Sequence, residues 1–105
     1  MYGKEYLPDE PRVYRSRSKN AQEAHEAIRP TSIRRDPDSL KPYLSREQLS
    51  IYTLIWSRML ASQMSDAVSE ATTADIAAAS KSSGRVINFR ATGSLLKFAG
   101  FRTVY

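Results

Sequence analysis

Cysteine is absent from these 105 residues. Its absence excludes disulfides, thiolate metal sites and a cysteine nucleophile together, and it suits an intracellular chain. Histidine occurs once, at His25, so with no cysteine and no convergent carboxylate pair the residues fall short of a usual metal-ligand set. The four glycines are scattered at turns and make no phosphate-cradling loop. There is no Gly-x-Ser-x-Gly elbow for a serine hydrolase. No apolar run approaches the roughly 20 residues a membrane-spanning helix needs. Met1 is followed by Tyr-Gly-Lys-Glu, unlike the basic and then apolar start of a secretory leader. The expected partner is a soluble one.

What is plentiful is positive charge. Lysine and arginine number 16 against 11 acids, a formal net charge of +5. That balance favours a polyanionic partner. Arg12, Arg15, Arg17 and Lys19 are interleaved with Tyr14, and Arg34 and Arg35 follow shortly after. Cations with an intervening aromatic suit a phosphate backbone; a solvated loop is the alternative for the same run. A chain of 105 residues has room for one ordinary domain or for two small pieces of a larger one, and its 41% hydrophobic residues are enough for a core but slightly under the usual globular share.

The pattern along the chain reads as α+β. Residues 1–18 show no lasting period, and Pro8 and Pro11 bracket acids. A short helix is expected over about 20–29. Asn20 stands at its cap with Glu23 three residues later, Ala21, Ala24, Ala27 and Ile28 form its apolar stripe, and Pro30 ends it. Gln22, His25 and Arg29 then share its polar face. Residues 31–42 read as a linker. A longer helix is expected over about 46–64, capped by Ser45 with Gln48 and stapled by Leu44 and Leu49. Its stripe of Leu49, Tyr52, Ile55, Trp56, Met59, Leu60 and Met64 should be buried, with the single tryptophan, Trp56, a core residue rather than a ligand-stacking one. A small antiparallel meander follows: a Thr- and Ala-rich segment, a turn at 81–84, a strand at 86–91 with Ile87, Phe89 and Ala91 on one face, a turn at 92–94, a short strand at 95–98 and another beginning at 101. The meander reads as incomplete at its C-terminus, leaving an open edge, so the chain looks cut from something longer.

Residues 20–30 carry the chemistry. Arg29 can bind two phosphate oxygens in a fork, and His25 can donate a proton or a hydrogen bond near neutral pH. Orienting a phosphodiester is the activity that survives the exclusions above. A structural histidine at a loop–helix junction fits the same spacing.

The string Gln-Glu-Ala-His-Glu-Ala-Ile-Arg-Pro-Thr, Gln22 to Thr31, closely resembles the histidine motif of bacterial type IA DNA topoisomerases. The resemblance takes in Tyr6-Leu7-Pro8, the helix around Leu54-Ile55-Trp56, Gln63-Met64 and the strands from Ala71-Thr72-Thr73 to Tyr105. Arg29 favours the topoisomerase I branch. The resemblance implies an ATP-independent enzyme that relaxes negatively supercoiled DNA through a 5′-phosphotyrosine and strand passage. It further implies that His25 assists at the scissile phosphate and that Arg29 contacts the nearby backbone or organises the active-site network. Gln22, Thr31, Arg15, Arg17 and Lys19 are the expected DNA-binding residues.

The family's nucleophilic tyrosine motif is missing, as are its acidic magnesium cluster and zinc-ribbon cysteines. No tyrosine here is therefore assigned as catalytic, no metal ligand is expected in this chain, and magnesium is expected to bind elsewhere in the parent enzyme. Residues 1–65 resemble part of the mobile lobe that carries the tyrosine, and residues 66–105 part of the β-rich arch, with a candidate hinge near Ser65. The chain alone is expected to be inactive, with single-stranded DNA and the rest of the enzyme as partners, self-pairing through the open edge as a further option, and the bacterial cytoplasm and nucleoid as its location. A stand-alone basic module that binds single-stranded nucleic acid without catalysis is the alternative, and a purely structural piece with a solvated basic loop is a third.

Overall fold

Ser45 decides where the longest helix begins. Its side chain accepts a hydrogen bond from the Gln48 N–H at 3.2 Å, and the Gln48 side chain accepts one from the Ser45 N–H at 2.9 Å. This reciprocal box satisfies two donors that a helix start would otherwise leave unpaired. In the computed structural model, which describes residues 1–15 and 26–105, the elements are α1 (Pro37–Leu40), α2 (Arg46–Ser62), β1 (Val68–Ala79) and β2 (Val86–Phe98), with short 3-10 turns at Lys4–Tyr6, Lys41–Tyr43 and Gly100–Thr103. The fold is α+β. Two compact units divide it, Met1–Asp66 with Gly100–Tyr105, and Ala67–Ala99.

The first unit is organised around α2. Trp56, Ala61 and Met64 are buried at 8%, 8% and 4% exposure, while Leu49, Tyr52, Ile55 and Leu60 are half-buried. Met59, expected in the stripe, is exposed at 38%. Trp56 is a core residue whose indole N–H also donates to the Ile33 carbonyl at 2.8 Å. One turn earlier the Tyr52 hydroxyl donates to the Arg35 carbonyl at 2.6 Å. The helix thus grips residues 33–35 through two side chains at i, i+4 spacing. The helix ends at Ser62, slightly short of the expected 64. Each of its last four carbonyls has a partner: Ser62 Oγ donates to Met59 O, Gln63 N–H to Leu60 O, Met64 N–H to Ala61 O and Tyr14 OH to Ser62 O. No orphan acceptor is left at that end.

Two sequence expectations are corrected in this unit, and a third only at its C-terminal end. The described part of the short helix expected over 20–29, residues 26–29, is irregular; residues 20–25 lie outside the described residues. Pro30 is buried, and a proline disfavours helical geometry in the residue before it. The linker expected over 31–42 contains α1, whose cap Asp36 accepts from the Ser39 N–H at 3.0 Å with Pro37 at the first helical position. The strand expected from 101 is a 3-10 turn entered through Gly100 at φ +50°. A side chain at Gly100 would collide with the backbone carbonyls of Ser65 and Asp66, and the Phe101 N–H donates to the Ser65 carbonyl at 2.9 Å.

The second unit is one long antiparallel hairpin, not a meander of short strands. β1 and β2 pair from Val68↔Phe98 to Ala79↔Val86, with a register shift between Val68 and Ser69. The turn expected at 81–84 is present, with Gly84 at φ +68° and the Ser80 N–H donating to the Arg85 carbonyl at 2.8 Å. The turn expected at 92–94 is instead continuous strand, because Thr73, Thr72 and Ala71 lie opposite those residues and complete the ladder. The Thr73 and Thr92 hydroxyls meet at 3.2 Å across it. One face carries Ile76, Ala78, Ile87, Phe89, Ala91 and Leu95; the other carries the Asp75–Arg90 pair at 2.7 Å. Ile87, Phe89 and Ala91 do share a face, as their alternation implies. The hairpin's apolar side chains remain exposed, Ile76 at 52% and Phe89 at 56%.

Candidate nucleic-acid interface

The candidate site residues fall into two groups. Arg17, Lys19, Gln22 and His25 lie outside the described residues. Arg15, Arg29 and Thr31 are described, and all three are exposed in irregular backbone. Arg29 donates from Nη2 to Glu26 Oε1 at 2.6 Å. This pair is solvent-facing on both sides, so it is a weak and salt-screened contact. A guanidinium has five N–H donors, so Arg29 keeps donors for a phosphate, and Glu26 is the group a phosphate would displace.

What the structure adds is the way both flanks of residues 16–25 are held. On the near side, Arg12 and Gln63 make a reciprocal amide pair: the Arg12 N–H donates to Gln63 Oε1 and Gln63 Nε2 donates to the Arg12 carbonyl, each at 3.1 Å. The Arg12 guanidinium then reaches the Met64 carbonyl at 3.0 Å and the Asp66 carboxylate at 2.6 Å. Hydrogen bonding from Arg12, backed by its charge, holds the Asp66 carboxyl below its ordinary value. The same contact raises Arg12 further above the physiological range. Tyr14 follows, its hydroxyl on the Ser62 carbonyl at 2.7 Å. On the far side, Trp56 and Tyr52 hold residues 33–35. The helix and the residues just after it therefore fix the chain on both sides of the motif, with Tyr52 and Ser62 about 15 Å apart along the axis at about 1.5 Å per residue.

Sequence reasoning missed this splint. It assigned Arg12 to the cationic run, whereas the structure commits that guanidinium to Asp66 and Met64. Gln63-Met64 lay within the family resemblance without a role. A glutamine at the end of a helix gives no local signal that it will pair with a backbone amide 51 positions away. Arg58, which faces Tyr105, was missed for the same reason: its guanidinium donates to the Tyr105 hydroxyl at 2.8 Å and lies 5.5 Å from the ring centroid. Among the described residues no group of three or more His, Cys, Asp or Glu side chains could hold a metal ion. No described helix is long and apolar enough to cross a membrane.

Comparison with known proteins connects these features. A sequence model described as DNA topoisomerase matches residues 1–105. DNA topoisomerase 1 of Xylella fastidiosa is 50% identical over 104 residues, covering 99% of this chain and 12% of the relative. DNA topoisomerase 1 of Helicobacter pylori (strain 26695) is 52% identical over 100 residues, covering 95% of this chain and 13% of the relative. A full-length topoisomerase I structure from Thermotoga maritima superposes with a TM-score of 0.71 at 32% identity, covering 99% of this chain and 15% of that one. The chain thus spans about an eighth of the length of the curated relatives it matches.

Proposed function

We propose, for a chain that belongs to the DNA topoisomerase family, that it is an internal segment of an ATP-independent type IA enzyme that relaxes negatively supercoiled DNA. In this reading the enzyme cleaves one strand through a 5′-phosphotyrosine supplied from outside this chain. The segment contributes an assisting histidine and contacts to the DNA backbone. The observation that carries the reading is the match over all 105 residues around the Gln22–Thr31 motif.

The roles follow from charge and donor chemistry. His25 is the one side chain here whose ordinary titration lies near neutral pH. It donates a hydrogen bond or proton to an oxygen of the scissile phosphate. Arg29 exchanges its exposed contact with Glu26 for a fork to the phosphate oxygens. Gln22, Thr31, Arg15, Arg17 and Lys19 line the strand's path. Magnesium is expected to bind the whole enzyme outside this segment. Residues 1–65 belong to the lobe that carries the tyrosine and residues 66–105 to the arch, with Ser65 near the hinge. In this reading the protein works in the bacterial cytoplasm, on the nucleoid, where its DNA substrate lies.

The test is kinetic, in the full-length polypeptide. His25→Ala should slow single-strand cleavage by about 100-fold or more, the range expected for a positioned acid–base group, while leaving DNA affinity within a few-fold. Equal losses in cleavage and binding would assign His25 a structural role instead.

A further inference from the structure

We infer that the cavity bounded by Tyr14, Arg58 and Tyr105 is a nucleotide subsite, in which a base of single-stranded nucleic acid stacks on tyrosine and its phosphate binds Arg58. The inference rests on the reading above that the chain binds DNA, and it adds a second point of contact outside the Gln22–Thr31 motif.

The cavity measures about 470 Å³, within the range of roughly 300–1,000 Å³ typical of small-ligand sites. Ala61 and Ser62 at the end of α2, and Phe101, also line it. Tyr14 is 68% exposed, yet its hydroxyl is tied to the Ser62 carbonyl at 2.7 Å. A ring fastened at its polar end and open over its surface is prepared for stacking, because little side-chain freedom remains to be lost on binding. Tyr105, 55% exposed, is fastened in a similar way by Arg58.

Arg58 supplies the charge. Five cations of the described residues are neutralised by carboxylates: Arg12, Arg29, Lys41, Arg90 and Lys97. Arg58 has no carboxylate partner among the described residues, although Tyr105 holds it in place. One donor is used on the tyrosine hydroxyl, which leaves the rest of a five-donor fork for an anion. The other charges on the cavity wall, Arg12 and Asp66, pair with each other, so the cavity keeps the single positive charge of Arg58. An oriented cation beside presented aromatic rings favours a base with its phosphate over a plain anion or a plain apolar ligand. Arg15, exposed and next to Tyr14 in the chain, is a neighbouring cation available to the same strand.

The experiment measures binding of the 105-residue chain to a fluorescent oligothymidylate by anisotropy across a salt series, beside an abasic strand of equal length. Tyr14→Leu should weaken oligothymidylate binding roughly tenfold and leave abasic binding unchanged, while Tyr14→Phe, which keeps the ring, should bind nearly as the parent. Arg58→Gln should reduce the magnitude of the log–log salt slope by about 0.7, the value for one phosphate on a single strand. Equal losses in Tyr14→Phe and Tyr14→Leu would make Tyr14 a mere anchor of the chain and overturn the subsite. So would equal affinity for abasic and base-bearing strands, or equal competition by a polyglutamate peptide. Should Tyr14→Leu lower the unfolding midpoint, Arg58→Gln decides, since among the described residues its guanidinium pairs with Tyr105 alone. Arg29→Ala separates the two readings. Loss in Arg29→Ala alone leaves the proposed function and removes the subsite; loss in the cavity variants alone does the reverse; no binding by the parent chain removes both.

Discussion

Trp56 shows how much one side chain can do in a chain with a thin core. It is the largest buried residue of the first unit, and its indole N–H satisfies the Ile33 carbonyl just beyond the motif. Trp56→Ala should destabilise the chain by about 3–5 kcal/mol, read as a drop in the urea midpoint. Trp56→Phe keeps most of the apolar volume and loses the hydrogen bond, about 1 kcal/mol. Asp66 makes a second prediction, in pH. Its folded pKa is held below the unfolded value by Arg12. The stabilisation is therefore present above the unfolded value of about 3.9 and disappears as pH falls through the lower folded value. Urea midpoints measured from about pH 5 downward should fall across that window, and Asp66→Asn should flatten the curve there. Because the pair is exposed, added salt should shrink the effect.

At the scale of elements, α2 is the part most fully written in local sequence. Ser45, Gln48 and the i, i+4 pair Tyr52 and Trp56 specify its start and its buried face from within one short window. Ser45→Ala should cost about 1 kcal/mol of stability, measurable as a lower thermal midpoint with little change in helical signal at low temperature. The hairpin is the opposite case. A Thr-Gly-Ser triplet reads as a turn in isolation, but Thr73, Thr72 and Ala71 stand opposite it and draw it into one continuous strand. No local signal for strand length exists, because the deciding partner lies around 20 positions earlier in the chain (Thr73 faces Thr92). A two-stranded ribbon with exposed Ile76 and Phe89 is marginal by itself in water. Its stability is therefore the term most open to help from outside the hairpin.

For the molecule as a whole, charge is the property that extends furthest. The net +5 and the exposed positions of Arg15 and Arg29 predict weak affinity for single-stranded DNA that falls steeply with salt, with log K falling by about 0.7 per phosphate contact for each unit of log salt. Arg29→Ala should lower that slope, and Glu26→Gln, which frees Arg29 from its carboxylate, should raise affinity at low salt; anisotropy over a salt series checks both. Binding indifferent to salt would contradict the proposed backbone contacts.

The sequence by itself determined the charge, the capped helix, the burial of Trp56, the α+β class and the family, because each is written in short-range patterns or in a contiguous motif. Tertiary structure alone decided that α2 clasps the chain on both sides of that motif, that Arg12 is committed to Asp66, and that Tyr14, Arg58 and Tyr105 share one cavity. The physical reason is the range of the contacts. A cap or a helical stripe is satisfied within a few residues, whereas a Gln63 amide or an Arg58 guanidinium can be satisfied by any backbone or hydroxyl that folding brings to it.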